Sequence, residues 1–296
     1  MIELRKLLSA ALAALAVLAA GGAALEGAHA APEERWHSDE FKNPESVVRD
    51  ANNEFYYVSN INGAMLEKDG NGFISKIRPD GTMVEAQWLK GLNAPKGMAI
   101  SGNTMFIADI DELVIVDIGK AEITGRLPVK DAKFLNDVAA APDGRVFVSD
   151  SGTNTIWLHQ NGGLAPWVAD PILNAPNGLA VEGERLIVAS IGTMPHPDKP
   201  GRPGHLLAVS LSDKKISDLG DGSPVGYLDG VEPLGGGRYL ATDFINGALY
   251  KVDASGKSET LMPFEHGAAD LAYDPGAQLA IVPLTSANAV MALKVD

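Results

Sequence analysis

The chain has 296 residues, 46% of them hydrophobic and 21% charged, a globular composition that excludes a disordered or fibrous protein. Its net charge of −14 argues against nucleic acid or an anionic membrane as partner, since both reward the opposite sign. The absence of cysteine excludes a thiol nucleophile, thiolate metal sites, disulfides and a lipidated N-terminal Cys.

The first thirty residues read as a targeting segment. Arg5 and Lys6 precede the apolar run Leu7 to Ala20, and Ala28-His29-Ala30 has the A-x-A form of a cleavage site. A retained anchor helix is the weaker reading, because Gly21-Gly22 and a polar chain follow the run. Cleavage would leave 31–296 as a single domain, exported to the periplasm or secreted and detached from the membrane.

From there on the chain repeats. Related strings begin at Asn43 (NPESVVRDANNEFYYVSN), Asn93 (NAPKGMAISGNTMFIAD), Phe134 (FLNDVAAAPDGRVFVSD), Asn174 (NAPNGLAVEGERLIVAS), Tyr227 (YLDGVEPLGGGRYLATD) and Gly267 (GAADLAYDPGAQLAIVP). Each is a short alternating run, a turn such as Asp143-Gly144 or Gly235-Gly236-Gly237, and a second apolar run: a β-hairpin. A third run follows every hairpin, as in GFISKI or ALYKVD. The aligned residue at each hairpin start is Glu45, Lys96, Asn136, Asn177, Asp229 or Ala269, with most spacings about 40 residues and two about 50. Six such units predict an all-β, six-bladed β-propeller rather than a sandwich or solenoid. The last unit ends after its third run, so 34–41 is expected to supply its fourth strand and close the ring. The alternative is a frayed tail.

In a propeller the innermost strands start at one end of the central tunnel, so the six aligned positions form a ring. Glu45, Asn136, Asn177 and Asp229 place four hard oxygen donors there, a set suited to Ca²⁺ and poor for Zn²⁺ or Cu²⁺. The other reading is that they hydrogen-bond loops and tunnel waters. The motifs PES with Glu45, FLNDV with Asn136, PNGLA with Asn177 and LDGV with Asp229 resemble the senescence marker protein / gluconolactonase / regucalcin-like superfamily of six-bladed propellers. The resemblance covers roughly 41–296. It implies a divalent metal, most simply calcium, bound by Glu45, Asn136, Asn177 and Asp229. It also implies hydrolysis of a lactone or related ester, with Asp229 as the base acting on water.

Lys96 departs from that pattern. It either points up to bind an anionic group or an oxyanion, points inward to compete with the metal, or replaces the metal in a non-catalytic propeller. His266, three residues before Ala269, is either an acid–base helper at the tunnel mouth or an incidental loop residue. His196, between Pro195 and Pro197, reads as part of a rigid loop. The chain contains no G-x-x-x-x-G-K-[ST], H-E-x-x-H or G-x-S-x-G motif, and KDGNGFISK reads as a blade loop. The two long spacings arise from 60–71 in the first unit and 191–204 in the fourth. These are expected either to arch over the ring from opposite sides or to be unrelated insertions. The leading functional expectation is a metal-dependent, lactonase-type hydrolase acting on a small molecule. The rival is a non-catalytic NHL- or YncE-like propeller that binds a ligand or protein at the tunnel mouth.

Overall fold

The computed structural model describes residues 31–296 apart from positions 51, 53, 266 and 296. The predicted targeting segment and His266 therefore lie outside the described residues. Six four-stranded antiparallel sheets form the six blades of a β-propeller, and the described residues contain no α-helix. The first strands of the blades are Pro44–Arg49, Pro95–Ser101, Leu135–Ala140, Pro176–Glu182, Leu228–Gly235 and Ala272–Asp274. They are edge strands of their own sheets and contact one another from blade to blade, which places them around the axis.

The ring is closed as the repeat count implies. The sixth blade runs Ala272–Asp274, Leu279–Leu284, Ala289–Lys294, and its outer strand is β1, Glu33–Ser38. β1 pairs antiparallel with Ala289–Lys294, from Glu33 opposite Lys294 to Ser38 opposite Val290. The chain then enters the first blade through Phe41, which is fully buried among Val47, Tyr56, Ile77, Ile281 and Val290.

The core is distributed between blades rather than gathered at a centre. One cluster joins Tyr57 and Ile74 of the first blade to Met98 and Ile107 of the second, and another joins Phe147 and Ile156 of the third to Leu186 and Val188 of the fourth. The first and sixth blades share such a layer too. Strands buried on both faces explain the near-continuous apolar runs such as MFIA and RLIVA.

A bulge is what turns the ring residues towards the axis. In each of the first five inner strands the register slips across the ring residue and its successor, between Pro44/Val47, Pro95/Met98, Leu135/Val138, Pro176/Leu179 and Leu228/Val231. The two unpaired residues bend the strand and re-aim its side chains. The residue after the ring position is glycine in three of these five strands, Gly97, Gly178 and Gly230. A Cβ on Gly230 would lie 2.6 Å from Asp270 Oδ1, and one on Gly178 would strike the Asp229 carbonyl oxygen. Hydroxyls stitch neighbouring blades at the same level. Ser149 Oγ accepts from the Asp137 amide (2.8 Å) and donates to the Asn177 carbonyl (2.7 Å), and Thr242 Oγ1 links Gly230 to Ala269 in the same way. The sixth blade departs from the repeat: its inner strand is short, and the Asp270 amide donates across to the Glu45 carbonyl at 2.9 Å.

Candidate functional site

Glu45, Lys96, Asn136, Asn177 and Asp229 line one cavity of about 450 Å³, so the bulges bring five sequence-predicted positions together. Ala269, the sixth ring position, is buried but does not line it. The four oxygen-bearing side chains are at most 5% exposed. Among the described residues five buried side-chain polar atoms lack any hydrogen-bond partner. Three of them, Glu45 Oε2, Asn177 Oδ1 and Asp229 Oδ1, belong to this cavity. An orphaned buried oxygen costs about 1–3 kcal/mol. Three acceptors that line one space and receive no hydrogen bond are the arrangement a cation satisfies. Asn136 Nδ2 approaches Ser151 Oγ at 3.4 Å, which fixes the nitrogen end of that carboxamide. The donor set therefore fits a hard, oxygen-seeking divalent ion. No group of three or more His, Asp or Glu side chains is placed to hold a metal among the described residues, so this mixed carboxylate and carboxamide ring is the candidate.

Burial shapes the charges. Desolvation, and then the neighbouring Asp229 carboxylate, push Glu45 well above the usual carboxylate range, with Lys96 opposing. Desolvation and the Asp270 carboxylate do the same to Asp229. Without a bound cation, two anionic ligands side by side in this space are unfavourable.

Lys96 does not pair with the ring carboxylates. Its side chain is 1% exposed, and Nζ donates to the carbonyls of Met65 (2.9 Å) and Ala94 (3.0 Å) while lying 4.8 Å from the centre of the Phe134 ring. Burial pushes the ammonium below its ordinary range, against the pull of Glu45 and Asp109. The Met65 contact ties the long loop of the first blade to the floor of the cavity.

Both long loops reach this cavity. Met65 and Leu66 come from the first, between Tyr56–Asn60 and Gly72–Ile77. Ile191, Gly192 and Met194 come from the second, where the pair Gly192–Thr193 and Arg202–Pro203 forms a small hairpin of its own. His196 sits in that hairpin's exposed turn and does not line the cavity.

Sequence reasoning missed the supporting shell. Asp109 accepts from the amides of Asn93 and Ala94 (2.9 and 2.8 Å), and Asp150 accepts from those of Lys133 and Phe134 (3.2 and 3.0 Å). Each aspartate thereby fixes the loop entering an inner strand. The signal was legible as the Asp that ends FIAD and FVSD. Also missed were the buried Asp137, whose carboxylate accepts from the Val138 and Leu179 amides (both 2.6 Å), and Asp270, bonded by Ser46 Oγ at 2.6 Å. Residues one to three places beyond the ring line a second cavity of about 270 Å³ with Arg49 and Glu232, so the tunnel is acidic along its length.

Burial raises Asp270 to about 7 and Asp137 well above its ordinary value. A carboxyl whose folded pKa is raised stabilises the fold fully only below its unfolded pKa, near 4, and that contribution is lost as pH rises to the folded value. In the presence of a chelator, the melting temperature should therefore fall between pH 4 and about 7, and Asp270→Asn should flatten the slope. A flat or rising profile by differential scanning calorimetry would contradict this.

No protein-family model matches the chain, and no curated protein matches it by sequence. Solved structures do. A gluconolactonase from Xanthomonas campestris matches with a TM-score of 0.64 at 15% identity, over 90% of this chain and 88% of the other. The fold is shared with that enzyme. A streptogramin B lyase matches with a TM-score of 0.63 at 10% identity, over 89% and 97% of the two chains. A catalytically inactive virginiamycin B lyase from Staphylococcus aureus, solved with quinupristin, matches with a TM-score of 0.58 at 10% identity, over 86% and 95%. The propeller architecture that the motif resemblance implied is thus found in a gluconolactonase, with little sequence in common.

Proposed function

We propose that this protein is an exported, metal-dependent hydrolase of the lactonase type. The observation that carries the reading is the set of three orphaned, buried oxygens, Glu45 Oε2, Asn177 Oδ1 and Asp229 Oδ1, on a cavity that Asn136 also lines. The gluconolactonase neighbour supports the reaction class. Export rests on the basic, apolar and A-x-A pattern of residues 1–30. The described residues contain no helix long and apolar enough to cross a membrane.

Glu45, Asn136, Asn177 and Asp229 would hold the cation, most simply Ca²⁺. When bound, it supplies polarisation of the substrate's carbonyl oxygen and offsets the two ligand charges. The Asp229 carboxylate, through the oxygen not turned to the cation, accepts a proton from the attacking water, whose oxygen bonds to the carbonyl carbon. As the ring C–O bond breaks, the proton passes to the departing oxygen, giving a hydroxy acid. Asp109, Asp150 and the Ser149 and Thr242 hydroxyls keep the loops and inner strands in register around this geometry. Lys96 holds the Met65 loop over the site and contributes its positive charge beside the carbonyl-binding region.

Elemental analysis and lactone hydrolysis by the purified protein test the reading. One calcium per chain is expected, and its removal by a chelator should lower the melting temperature and abolish turnover. Lys96→Met should leave calcium affinity equal or higher and reduce kcat/KM by about tenfold or more through the loosened loop and lost charge. No bound metal at millimolar calcium, with no turnover, would favour the non-catalytic propeller that only binds at its mouth.

A further inference from the structure

The wall of the cavity differs from its floor. Besides the oxygen donors, Lys96 and Lys133, the cavity is lined by Met65, Leu66, Phe134, Ile191, Met194 and Phe244. Five large hydrophobic residues are exposed among the described residues, and three of them meet here: Met65 (38%), Leu66 (56%) and Met194 (45%). They come from the two insertions that lengthen the first and fourth repeats, on different sides of the site. Scattered exposed apolar residues need no explanation, but their gathering at the rim of one cavity with a polar floor marks a binding site. Two are methionines, whose unbranched, polarisable side chains adapt to apolar ligands of differing shape.

We infer that the site takes a lactone or ester whose reacting carbonyl is joined to an apolar alkyl or aryl portion, and that Met65, Leu66 and Met194 set this preference. The inference rests on the lactonase reading for the orientation of the carbonyl towards the floor. A polyhydroxylated sugar lactone would place its hydroxyls against a wall with few partners, and each unpaired hydroxyl would lose its hydrogen bonds to water. An alkyl chain instead removes its own surface and that of the exposed methionines and leucine from water. The cavity has room for roughly fifteen water-sized groups, enough for a lactone ring and a medium-length chain.

The test separates binding from turnover. γ-Butyrolactams with no side chain, a butyl chain or an octyl chain carry the same carbonyl and are not readily hydrolysed, so calorimetric titration of the calcium-loaded protein reads affinity alone. Affinity should rise about threefold to fourfold per methylene until the wall is covered. Leu66→Ser with Met194→Ser should cut that dependence by at least half while leaving the affinity for the unsubstituted lactam within about twofold. The corresponding lactones are then assayed for hydrolysis. Chain-length-dependent lactam binding without lactone hydrolysis upholds the apolar preference and sinks the hydrolase reading. Hydrolysis with no chain-length dependence, or a preference for a hydroxylated lactone, overturns the inference and leaves the hydrolase reading standing. An unchanged dependence in the double variant overturns the assignment to these loops.

Discussion

A variant lacking 31–38 should lose on the order of 3–5 kcal/mol of stability, a large share of the 5–15 kcal/mol typical of a whole domain. Among the described residues β1 alone covers the edge of Ala289–Lys294, and its removal exposes a row of unpaired backbone groups. The strand also bridges blades. Trp36, on a strand of the sixth blade, donates from Nε1 to the Pro79 carbonyl at 2.8 Å, and its ring lies against Gly81 in a turn of the first blade. Burying a whole large apolar side chain contributes about 1.5–3 kcal/mol, the partly buried indole less than that in proportion, and the strand's hydrogen bonds about 0.5–1.5 kcal/mol each, against the entropy of ordering the segment. Trp36→Ala in the intact strand should account for about half the loss, because it removes the clasp but keeps the ladder. An unchanged urea midpoint for the truncated protein would show that the ring does not depend on its closing strand.

Asp229→Asn and Glu45→Gln should each weaken calcium binding by about 100-fold or more, since each removes one of only two ligand charges and keeps the oxygen. Turnover should respond differently in the two. Asp229→Asn also removes the proton acceptor, so kcat measured at saturating calcium should fall by about 10²–10⁴-fold. Glu45→Gln at the same saturation should retain much more of it. Both variants should be as stable as the parent, or more so, when calcium is chelated, because burial makes an ionised carboxylate unfavourable at either position. That combination separates a lost ligand from a damaged fold. Calcium affinity equal to the parent's in both variants, measured by isothermal titration, would remove the ring from consideration as the metal site.

The repeat carried most of the architecture. Turn residues, apolar runs and their recurrence are local properties, so six hairpins with a third run each were readable directly, as was the lone unpaired segment before the first unit. The four oxygen donors were readable for a related reason: equivalent places in a closed repeat lie around one axis, and bulges in the first five inner strands turn the side chains towards it. The shared place of the two insertions between the second and third strands of a blade left open whether they reach the ring or are unrelated, and their lining of the cavity came from the structure.

Other features needed the assembled molecule. The direction of Lys96 depended on where the Met65 and Ala94 carbonyls and the Phe134 face lie, and these come from a different blade, the preceding loop and the next blade. As a string, Lys96 was equally compatible with an ion pair. The acidity of the lower tunnel arises because Asp137, Asp270 and Glu232, far apart in the chain, converge once the bulged strands are wound around one axis. Met65, Leu66 and Met194 carry no signal in the sequence, and the folded ring sets them around one cavity. The sequence by itself determined the repeat, its closure and the donor types at the ring, because periodicity and topology suffice for these. Tertiary structure alone decided which polar atoms are left without partners and which apolar side chains face them, because satisfaction and exposure depend on neighbours that the chain brings in from other blades.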